Sequence, residues 1–151
     1  MIRHADLKDI DDLMSIMIDF ANASPIPALH NPNFDDFRAR KLLTHYICKG
    51  VVLVSYKEEE ITGMLIATLV PDTWMPHIVN LREIAWYVKP KYRHSLDGFR
   101  LIKKYELIGQ ELMEDGLISN IVITTLVDTP VDITKRGWKE IETNYILEGK
   151  S

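Results

Sequence analysis

The sequence predicts a mixed α/β fold, with a mainly antiparallel central sheet and helices on both of its faces. Short apolar runs alternate with amphipathic stretches of helical spacing in the order β-α-α-β-β-β-α-β-α-β. The three successive strands in the middle of the chain favour hairpins over a repeated βαβ winding. No repeat, low-complexity segment or Gly/Ser linker divides the 151 residues, so we expect a single domain over residues 1–151.

The N-terminal third is predicted to hold one strand and two helices. Residues 2–5 form the strand, and Asp6 is a helix N-cap that precedes a run of apolar residues at helical spacing. The prolines within residues 22–33 prevent that helix from continuing, so this segment is a predicted loop. A second amphipathic helix is expected over about residues 35–48.

The middle of the chain is predicted to form three consecutive strands. Apolar residues dominate 51–56 and 61–70, and the KEEE between them is a turn, so the two segments are expected to form an antiparallel hairpin. After a loop rich in Pro and Trp, residues 78–88 form a long apolar strand that Pro90 closes.

The C-terminal third is predicted to contain a long helix, a strand, a short helical segment and a last strand. The helix spans residues 98–115, with Gly116 as its stop. The β-branched residues of 118–127 are typical of a strand buried on both faces. A weakly helical segment follows at about 130–136, and alternation in residues 138–147 predicts the final strand.

Composition and charge argue against several functional classes. Acidic residues outnumber basic residues by 22 to 18, and this net charge of -4 gives no electrostatic reason to expect nucleic-acid binding. The N-terminus is too charged for a signal peptide and no apolar run is long enough to span a membrane, so a cytoplasmic location is expected. The five histidines form no ligand spacing such as HxH or HExxH, so we expect no metal site. Cys48, the only cysteine, excludes an intrachain disulfide and is expected to be a buried structural thiol.

The segment WYVKPKYRHSLDGFRLIKKYE carries the chemistry that the sequence suggests. A strand and a short loop lead into a helix at Gly98, where several backbone N–H groups point toward one place and the helix dipole adds partial positive charge. Arg93 adds a cation, and Gly98 lets a ligand approach the backbone without a Cβ in the way. His94 is either a further hydrogen-bond donor to a phosphate or a solvated loop residue. The segment therefore suits a phosphate or pyrophosphate group.

This segment resembles the acetyl-CoA pyrophosphate loop of the GNAT superfamily of acyl-CoA N-acyltransferases. The family pattern is Arg/Gln-x-x-Gly-x-Gly/Ala after a strand that ends in an apolar–Val pair, and here the strand ends in Tyr-Val. Arg93 and Gly98 take the first and last positions of the pattern. Leu96 stands where the middle glycine is expected, a departure also found in the small phage-encoded GNAT proteins that the chain resembles. The opening residues 2–17 and the Gly-Trp strand near the C-terminus are similar to the family as well.

Two residues of the loop depart from the family pattern. Leu96 adds a side chain where the cofactor should pass close to the backbone. Asp97 either brings a negative charge near the pyrophosphate, at a cost on the order of 1 kcal/mol, or caps the following helix with its carboxylate. The loop is therefore expected either to bind CoA or to be an inherited turn that no longer does so.

The resemblance implies acetyl-CoA as the cofactor and a defined path for it across the sheet. In GNAT enzymes the acyl-pantetheine arm lies where the fourth strand splays away from the fifth, so backbone groups of residues 86–88 are expected to face that arm. The implied cofactor-binding residues are Trp86, Tyr87, Val88, Arg93, His94, Ser95, Leu96, Asp97 and Gly98.

Glu83 is the candidate general base. An ammonium has no lone pair, so a base must remove its proton before the amine can attack a thioester. Some GNAT enzymes carry a glutamate at the corresponding place on the strand that lines the cleft, and burial in this apolar strand would raise the pKa of Glu83 toward neutrality. The alternative is a glutamate at the rim that pairs with Arg82 or another cation.

The general acid of the family has no counterpart in the expected place. Many relatives carry a tyrosine a few residues before the Gly-aromatic pair, where it protonates the departing thiolate, but the segment VDTPVDITKRGW holds none. Asp132 and Thr134 are poor substitutes because of their acidities. Three alternatives follow: solvent protonates the thiolate, Tyr145 reaches the site and does so, or the enzyme is weak or inactive.

The resemblance leads to an enzyme hypothesis and a binding hypothesis. The first is transfer of an acetyl group from acetyl-CoA to a primary amine of a small molecule or a protein. His30, Asn31 and Trp74 then border the acceptor, unless they simply cover the core. The second is a non-catalytic phage accessory or assembly protein with the same fold, located in the host cytoplasm. A homodimer is a further expectation from the resemblance.

Overall fold

The computed structural model describes residues 1–30, 34–125 and 131–149. It contains five strands and three α-helices. The strands are β1 (Ile2–His4), β2 (Val51–Lys57), β3 (Glu60–Pro71), β4 (Val79–Val88) and β5 (Asn120–Val122). The α-helices are α1 (Ile10–Asn22), α2 (Asp36–Lys49) and α3 (Asp97–Glu114). Short 3-10 turns lie at Leu7–Asp9, Pro27–Leu29, Pro90–Tyr92 and Ile133–Arg136.

The strands form one mixed sheet in the order β1-β2-β3-β4-β5. Every neighbouring pair is antiparallel except β4 and β5, which are parallel. Helices α1 and α2 pack on one face around Leu13, Leu43 and Ile66, and α3 packs on the other around Leu101, Tyr105 and Leu81. The predicted fold class, a mainly antiparallel sheet with helices on both faces, is confirmed.

Local sequence signals explain where the N-terminal elements begin. The Asp6 carboxylate accepts the Lys8 amide, and the Asp9 carboxylate accepts the Asp6 amide in return, which forms a capping box before α1. Arg3 on β1 donates to both carboxylate oxygens of Asp9, at 2.6 and 2.9 Å, and so fixes this box against the sheet. At the start of α2, the carboxylate of Asp35 accepts the Arg38 amide.

Two predicted strands and one predicted buried residue differ from the structure. β5 pairs over three residues only and is half-buried, because it diverges from β4 beyond the Arg82–Val122 pair. Residues 126 and 127 of the predicted strand lie outside the described residues. Residues 138–147 form no strand in the described part of the chain and pair with none of the five strands. Cys48 is exposed because it lies on the solvent side of α2.

Gly109 allows α3 to lie against β5, and its replacement tests this packing. A Cβ at Gly109 would lie 2.2 Å from the Cγ2 methyl of Ile121 and 3.3 Å from its branched Cβ, so rotation of the Ile121 side chain alone would not relieve the contact. We expect Gly109→Ala to lower the free energy of unfolding by about 1–3 kcal/mol through overpacking, despite the higher helix propensity of alanine. Urea unfolding followed by circular dichroism measures this change.

Gly98→Ala is the matched control on the same helix. A Cβ there would meet Val88 at an ordinary contact distance of 3.6 Å, so its stability should not fall. Equal stability of the two variants would contradict the close approach of α3 to β5.

Candidate active site

The candidate site lies where β4 and β5 separate. The two strands pair only at Asn80, Leu81 and Arg82 of β4, whereas β4 continues to pair with β3 as far as Val88. Beyond Arg82 the edge of β4 that faced β5 has no strand partner within the described residues. Parallel neighbours that diverge in this way leave a wedge-shaped opening within the sheet.

Two side chains connect β4 and β5 at the point of the wedge, where the backbone pairing of the two strands ends. Glu83 follows the last paired residue of β4, and its Oε2 accepts the backbone N–H of Thr124 at 3.0 Å. The hydroxyl of Tyr105, on α3, lies 2.9 Å from the carbonyl oxygen of Leu81 on β4 and 2.9 Å from that of Val122 on β5. Together they connect the two strands at the place where pairing stops.

Glu83 is a buried carboxyl whose pKa is raised toward neutrality. Its side chain is buried, with 7% of the residue exposed. Burial raises the pKa of Glu83 from 4.5 to about 7, and the Thr124 amide and the nearby charge of Arg82 oppose this rise only in part. Arg82 forms no ion pair with Glu83 in the described part of the chain. A carboxyl that is neutral and charged in comparable amounts at pH 7 can both take up and release a proton.

The opened edge of β4 presents backbone groups to the wedge. The Lys89 amide donates to the Thr62 carbonyl on β3, and bonded pairs alternate along an antiparallel ladder. By this alternation Trp86 and Val88 direct their N–H and C=O groups away from β3. Tyr87 bonds toward β3 instead, so the expectation that its backbone faces the opening is wrong. The ring of Tyr87 contacts the Arg93 guanidinium, whose central carbon lies 5.1 Å from the ring centroid.

The loop between β4 and α3 is held by short-range hydrogen bonds. Arg93 donates from Nε to the carbonyl oxygen of Val88 at 3.0 Å, and the residue is exposed. The Ser95 hydroxyl donates to the Tyr92 carbonyl and accepts the Asp97 amide. His94 is exposed. Arg93 is thus anchored by one nitrogen at the end of β4 while the rest of its guanidinium remains accessible.

Asp97 points into the protein and not toward the loop surface. It is the first residue of α3 and only 7% exposed. Its Oδ2 accepts the hydroxyl of Thr62 on β3 at 2.9 Å. Because a hydroxyl carries a single proton, Thr62 takes its second bond, at 2.8 Å, from the hydroxyl of Ser55 on β2. The expectation that the Asp97 carboxylate caps α3 is therefore wrong, since it bonds to Thr62 on β3.

The start of α3 keeps donors that are not used by the protein. The Gly98 and Phe99 amides have no hydrogen-bond partner within the described residues, whereas the Arg100 amide donates to the Leu96 carbonyl. Leu96 is 61% exposed, so its side chain does not fill the turn. Trp86, which lies beside Gly98, has a buried Nε1 with no partner in the described part of the chain. A buried unpaired donor such as Nε1 of Trp86 is unfavourable by about 1–3 kcal/mol. Together with the Gly98 and Phe99 amides, which are not buried, it fits a bound group with acceptor oxygens.

A side-chain cluster that the sequence did not reveal connects the C-terminal segment to α3. The Glu106 carboxylate accepts the Nε1–H of Trp138 at 2.7 Å and forms a bidentate ion pair with Arg136. The Arg136 guanidinium also covers the ring of Phe99 at 4.6 Å, next to the unused amides. The position of the Tyr105 hydroxyl between β4 and β5 was not predicted either. The sequence signal for it was a tyrosine on a buried helix face, since such a hydroxyl needs a buried acceptor.

His30 and Trp74, two of the three residues expected to border an acceptor, form no hydrogen bond with Glu83. A ring nitrogen of His30 lies 2.8 Å from the carbonyl oxygen of Ser24, within its own loop. Trp74 lies between β3 and β4 and is 88% exposed. Asn31 lies outside the described residues.

Across residues 1–30, 34–125 and 131–149, no three His, Cys, Asp or Glu side chains are grouped as metal ligands would be. None of the helices in that part of the chain has the length and hydropathy needed to cross a bilayer.

Solved structures of acetyltransferases have the same fold as this chain. A possible acetyltransferase from Clostridium difficile 630 has a TM-score of 0.69 and 15% identity, over 100% of this chain and 96% of that one. A predicted acetyltransferase from Clostridium acetobutylicum, solved with acetyl-CoA, has a TM-score of 0.67 and 16% identity over 98% and 95%. A GNAT family acetyltransferase from Staphylococcus aureus has a TM-score of 0.65 and 14% identity over 98% and 97%. No protein-family model and no curated protein matches the sequence. At these identities the comparison establishes the fold.

Proposed function

We propose that residues 1–151 form one N-acetyltransferase domain that moves an acetyl group from acetyl-CoA to a primary amine, with Glu83 as the general base. One observation carries the proposal. In a fold shared with acetyltransferases, a buried carboxyl with a pKa of about 7 lies at the point where β4 and β5 separate. A buried acid costs stability, and active sites are where such groups concentrate.

Binding of acetyl-CoA is supported by the donors at the two ends of the opening. The diphosphate would accept the Gly98 and Phe99 amides at the start of α3 and a charge-assisted bond from Arg93. The amide part of the pantetheine arm would continue the ladder on the free edge of β4, at Trp86 and Val88. His94, Ser95 and Leu96 line the same turn. The inward Asp97 leaves the turn free of an opposing charge.

The reaction requires one proton transfer before the acetyl transfer. Ionised Glu83 takes a proton from the ammonium of the acceptor, directly or through water, and so frees the nitrogen lone pair. The amine then attacks the thioester carbonyl carbon, and an N–H on the free edge of β4 stabilises the charge that develops on the carbonyl oxygen. The C–N bond forms, the C–S bond breaks, CoA leaves as a thiolate, and the nitrogen loses its second proton to water. Water carries that proton to the thiolate, because the single proton of the Tyr105 hydroxyl is shared between the carbonyl oxygens of Leu81 and Val122, and Tyr145 is 93% exposed on the C-terminal segment.

Calorimetry and a thiol-release assay test the proposal. Acetyl-CoA should bind with measurable heat and raise the melting temperature, and a panel of primary amines should include one that releases free CoA thiol in a saturable manner. Absence of both binding and thiol release at millimolar acetyl-CoA would overturn the enzyme assignment.

Replacing Arg93 by alanine is expected to weaken CoA binding about ten-fold. A charge-assisted hydrogen bond is worth roughly 1.5–3 kcal/mol, and the exposure of Arg93 favours the lower end of that range. Titration calorimetry with CoA measures the change. Lys104→Ala removes the same charge from an exposed position of α3 and should leave affinity unaltered. If Arg93→Ala binds CoA as tightly as this control, the arginine does not contact the nucleotide.

A non-catalytic accessory or assembly protein of the same fold is the second candidate. It is favoured by the C-terminal segment, where Ile141, Tyr145 and Leu147 are exposed and available to a partner or to a second copy of the chain. Thiol release that saturates with an amine would exclude a purely non-catalytic role. Under either candidate we place the protein in the cytoplasm, the host's if it is phage-encoded. A homodimer is proposed for the same apolar segment.

A further inference from the structure

Tyr105 is a buried polar side chain for which the proposed reaction has no chemical step. It lies on α3 and is 0% exposed, and its hydroxyl lies 2.9 Å from each of the carbonyl oxygens of Leu81 and Val122. These two residues belong to the last two pairs between the parallel strands β4 and β5. Burial and the nearby Glu83 carboxylate raise the pKa of Tyr105, so its hydroxyl keeps its proton and remains a donor.

The contacts of Tyr105 lie just before the hydrogen bond between Glu83 and Thr124. Glu83 is the second residue after Leu81 on β4, and Thr124 is the second residue after Val122 of β5. Leu81 and Glu83 lie on the same face of the sheet, the face that α3 covers, because side chains alternate along a strand. The hydroxyl thus joins the two strands immediately before the Glu83 carboxylate meets the Thr124 amide at 3.0 Å.

No backbone ladder holds the Glu83 carboxylate beside Thr124. Within the described residues, the pairing of β4 with β5 ends at Arg82. Pairing with β3 fixes Glu83 on its other side but does not set its distance from the segment after β5. Without the Tyr105 hydroxyl, two strand carbonyls would lose their buried donor, and the strands would shift to find another. The separation of β4 and β5 at this point therefore depends on Tyr105.

A residue of the C-terminal segment packs against the ring of Tyr105. The indole of Trp138 stacks on this ring, with centroids 6.4 Å apart and an angle of 13° between the planes. The Nε1–H of Trp138 donates to the carboxylate of Glu106, the residue that follows Tyr105 on α3. Glu106 also pairs with Arg136. Trp138 is thus bound to α3 beside the ring that it contacts, and it restricts the movement of that ring.

We infer that Tyr105 is a positioning residue for Glu83, and that Trp138 keeps the Tyr105 ring in place. The Tyr105 hydroxyl fixes the separation of β4 and β5, and this separation sets the distance from the Glu83 carboxylate to the Thr124 amide. The C-terminal segment thereby contributes to catalysis through α3, without contact to the thioester. This inference rests on the proposed acetyl transfer, in which Glu83 is the general base.

The amide resonance of Thr124 reports on Glu83 without any substrate. A hydrogen bond to a carboxylate shifts the signal of the donating amide proton, so the Thr124 signal should titrate with a midpoint at the Glu83 pKa of about 7. Arg82 and Tyr105 are the other titratable groups that act on Glu83 in the described part of the chain. In Tyr105→Phe the amplitude of the Thr124 shift should fall at least about two-fold, because the amide is no longer held in hydrogen-bond geometry.

Three further variants accompany this titration. Tyr46→Phe is the matched control, because it removes a phenol hydroxyl from α2 on the opposite face of the sheet and should keep the wild-type Thr124 shift. Trp138→Ala should reduce the shift as Tyr105→Phe does. Trp138→Phe keeps an aromatic ring against Tyr105 and should recover most of the shift. Trp138 is only half-buried, so both of its variants can fold.

Thiol release separates positioning from a general loss of structure. With the most active amine of the panel at saturation, Tyr105→Phe should lower kcat at least ten-fold, within the loss of about 100-fold that a 1 Å misplacement can cause. The KM for acetyl-CoA should be unchanged, because Gly98 lies about two helical turns from Tyr105. Adding Tyr105→Phe to Glu83→Gln should lower kcat no further, since residues that act as a unit are not additive.

The outcomes separate the inference from the proposed function. An unchanged Thr124 titration in Tyr105→Phe would overturn the inference and leave acetyl transfer standing. A further fall in kcat when Tyr105→Phe is added to Glu83→Gln would also overturn it, because the hydroxyl would then act on something other than the base. A wild-type chain that does not bind acetyl-CoA would overturn the proposed function, and with it this role for Tyr105, whatever the Thr124 signal shows.

Discussion

Replacing Glu83 by glutamine is expected to lower turnover about 100- to 10,000-fold without changing the affinity for CoA. This is the range that a positioned general base contributes to a rate. Glutamine has the same shape and keeps an oxygen that can accept the Thr124 amide, so the point of the wedge should remain intact. What is lost is the ability to take a proton from the ammonium.

The pH profile distinguishes loss of the base from loss of structure. In the wild type, kcat/KM should rise with pH and level off above the Glu83 pKa of about 7, because only the ionised carboxylate accepts a proton. In Glu83→Gln this limb should disappear. Glu111→Gln, on the exposed side of α3, should keep the wild-type profile. A wild-type rate or an unchanged limb in Glu83→Gln would show that the base lies elsewhere.

The same variant has an expected effect on stability that does not depend on any substrate. Folding raises the pKa of Glu83 from 4.5 to about 7, so the folded state holds this proton more tightly than the unfolded chain. The resulting stabilisation is fully present below about pH 4.5 and is lost as the pH rises through 7, a change on the order of 3 kcal/mol. Glu83→Gln should remove this contribution, so its stability relative to the wild type should improve between pH 5 and pH 8. Urea unfolding of both proteins at the two pH values measures this difference in the free energy of unfolding.

The parts of the fold that the sequence predicted are those determined by neighbouring residues. The Asp6 cap is a local signal, and so is the turn after β2, where Glu58 and Glu59 adopt positive φ values of 50° and 67°. The hydrophobic periods of α1 and α3 likewise follow from residues within one element. Glu83 could be singled out because a lone carboxylate in an apolar strand is visible in the sequence alone.

The parts that the sequence did not predict depend on contacts between distant residues. The direction of Asp97 is set by Thr62, on a strand formed much earlier in the chain, and nothing near Asp97 reveals that partner. The role of Tyr105 depends on the carbonyls of two strands that meet only in the folded protein. Alternation in residues 138–147 describes a strand-like pattern, but a strand also needs a free edge beside it, and that is a property of the whole sheet.

Removing the Asp97 carboxylate is expected to destabilise the protein and to weaken CoA binding together. In Asp97→Ala the buried hydroxyls of Thr62 and Ser55 lose the acceptor at the end of their relay, which should lower the free energy of unfolding by about 2–3 kcal/mol. For a chain of this length the melting temperature should fall by about 4–12 °C. The affinity for CoA should also fall several-fold, because Asp97 ties the first turn of α3, with its unused amides, to β3.

Two further variants identify the cause of the losses in stability and CoA affinity. Asp97→Asn keeps an oxygen that can accept the Thr62 hydroxyl and should recover most of both losses. Asp115→Ala removes an exposed acid from the other end of α3 and should change neither stability nor CoA affinity. If Asp97→Ala lost stability but bound CoA as tightly as the wild type, the first turn of α3 would not depend on the relay for its position. If it instead bound CoA more tightly, the carboxylate would be acting on the diphosphate as a repelling charge. Such a result would mean that the inward hydrogen bond to Thr62 is not maintained in solution.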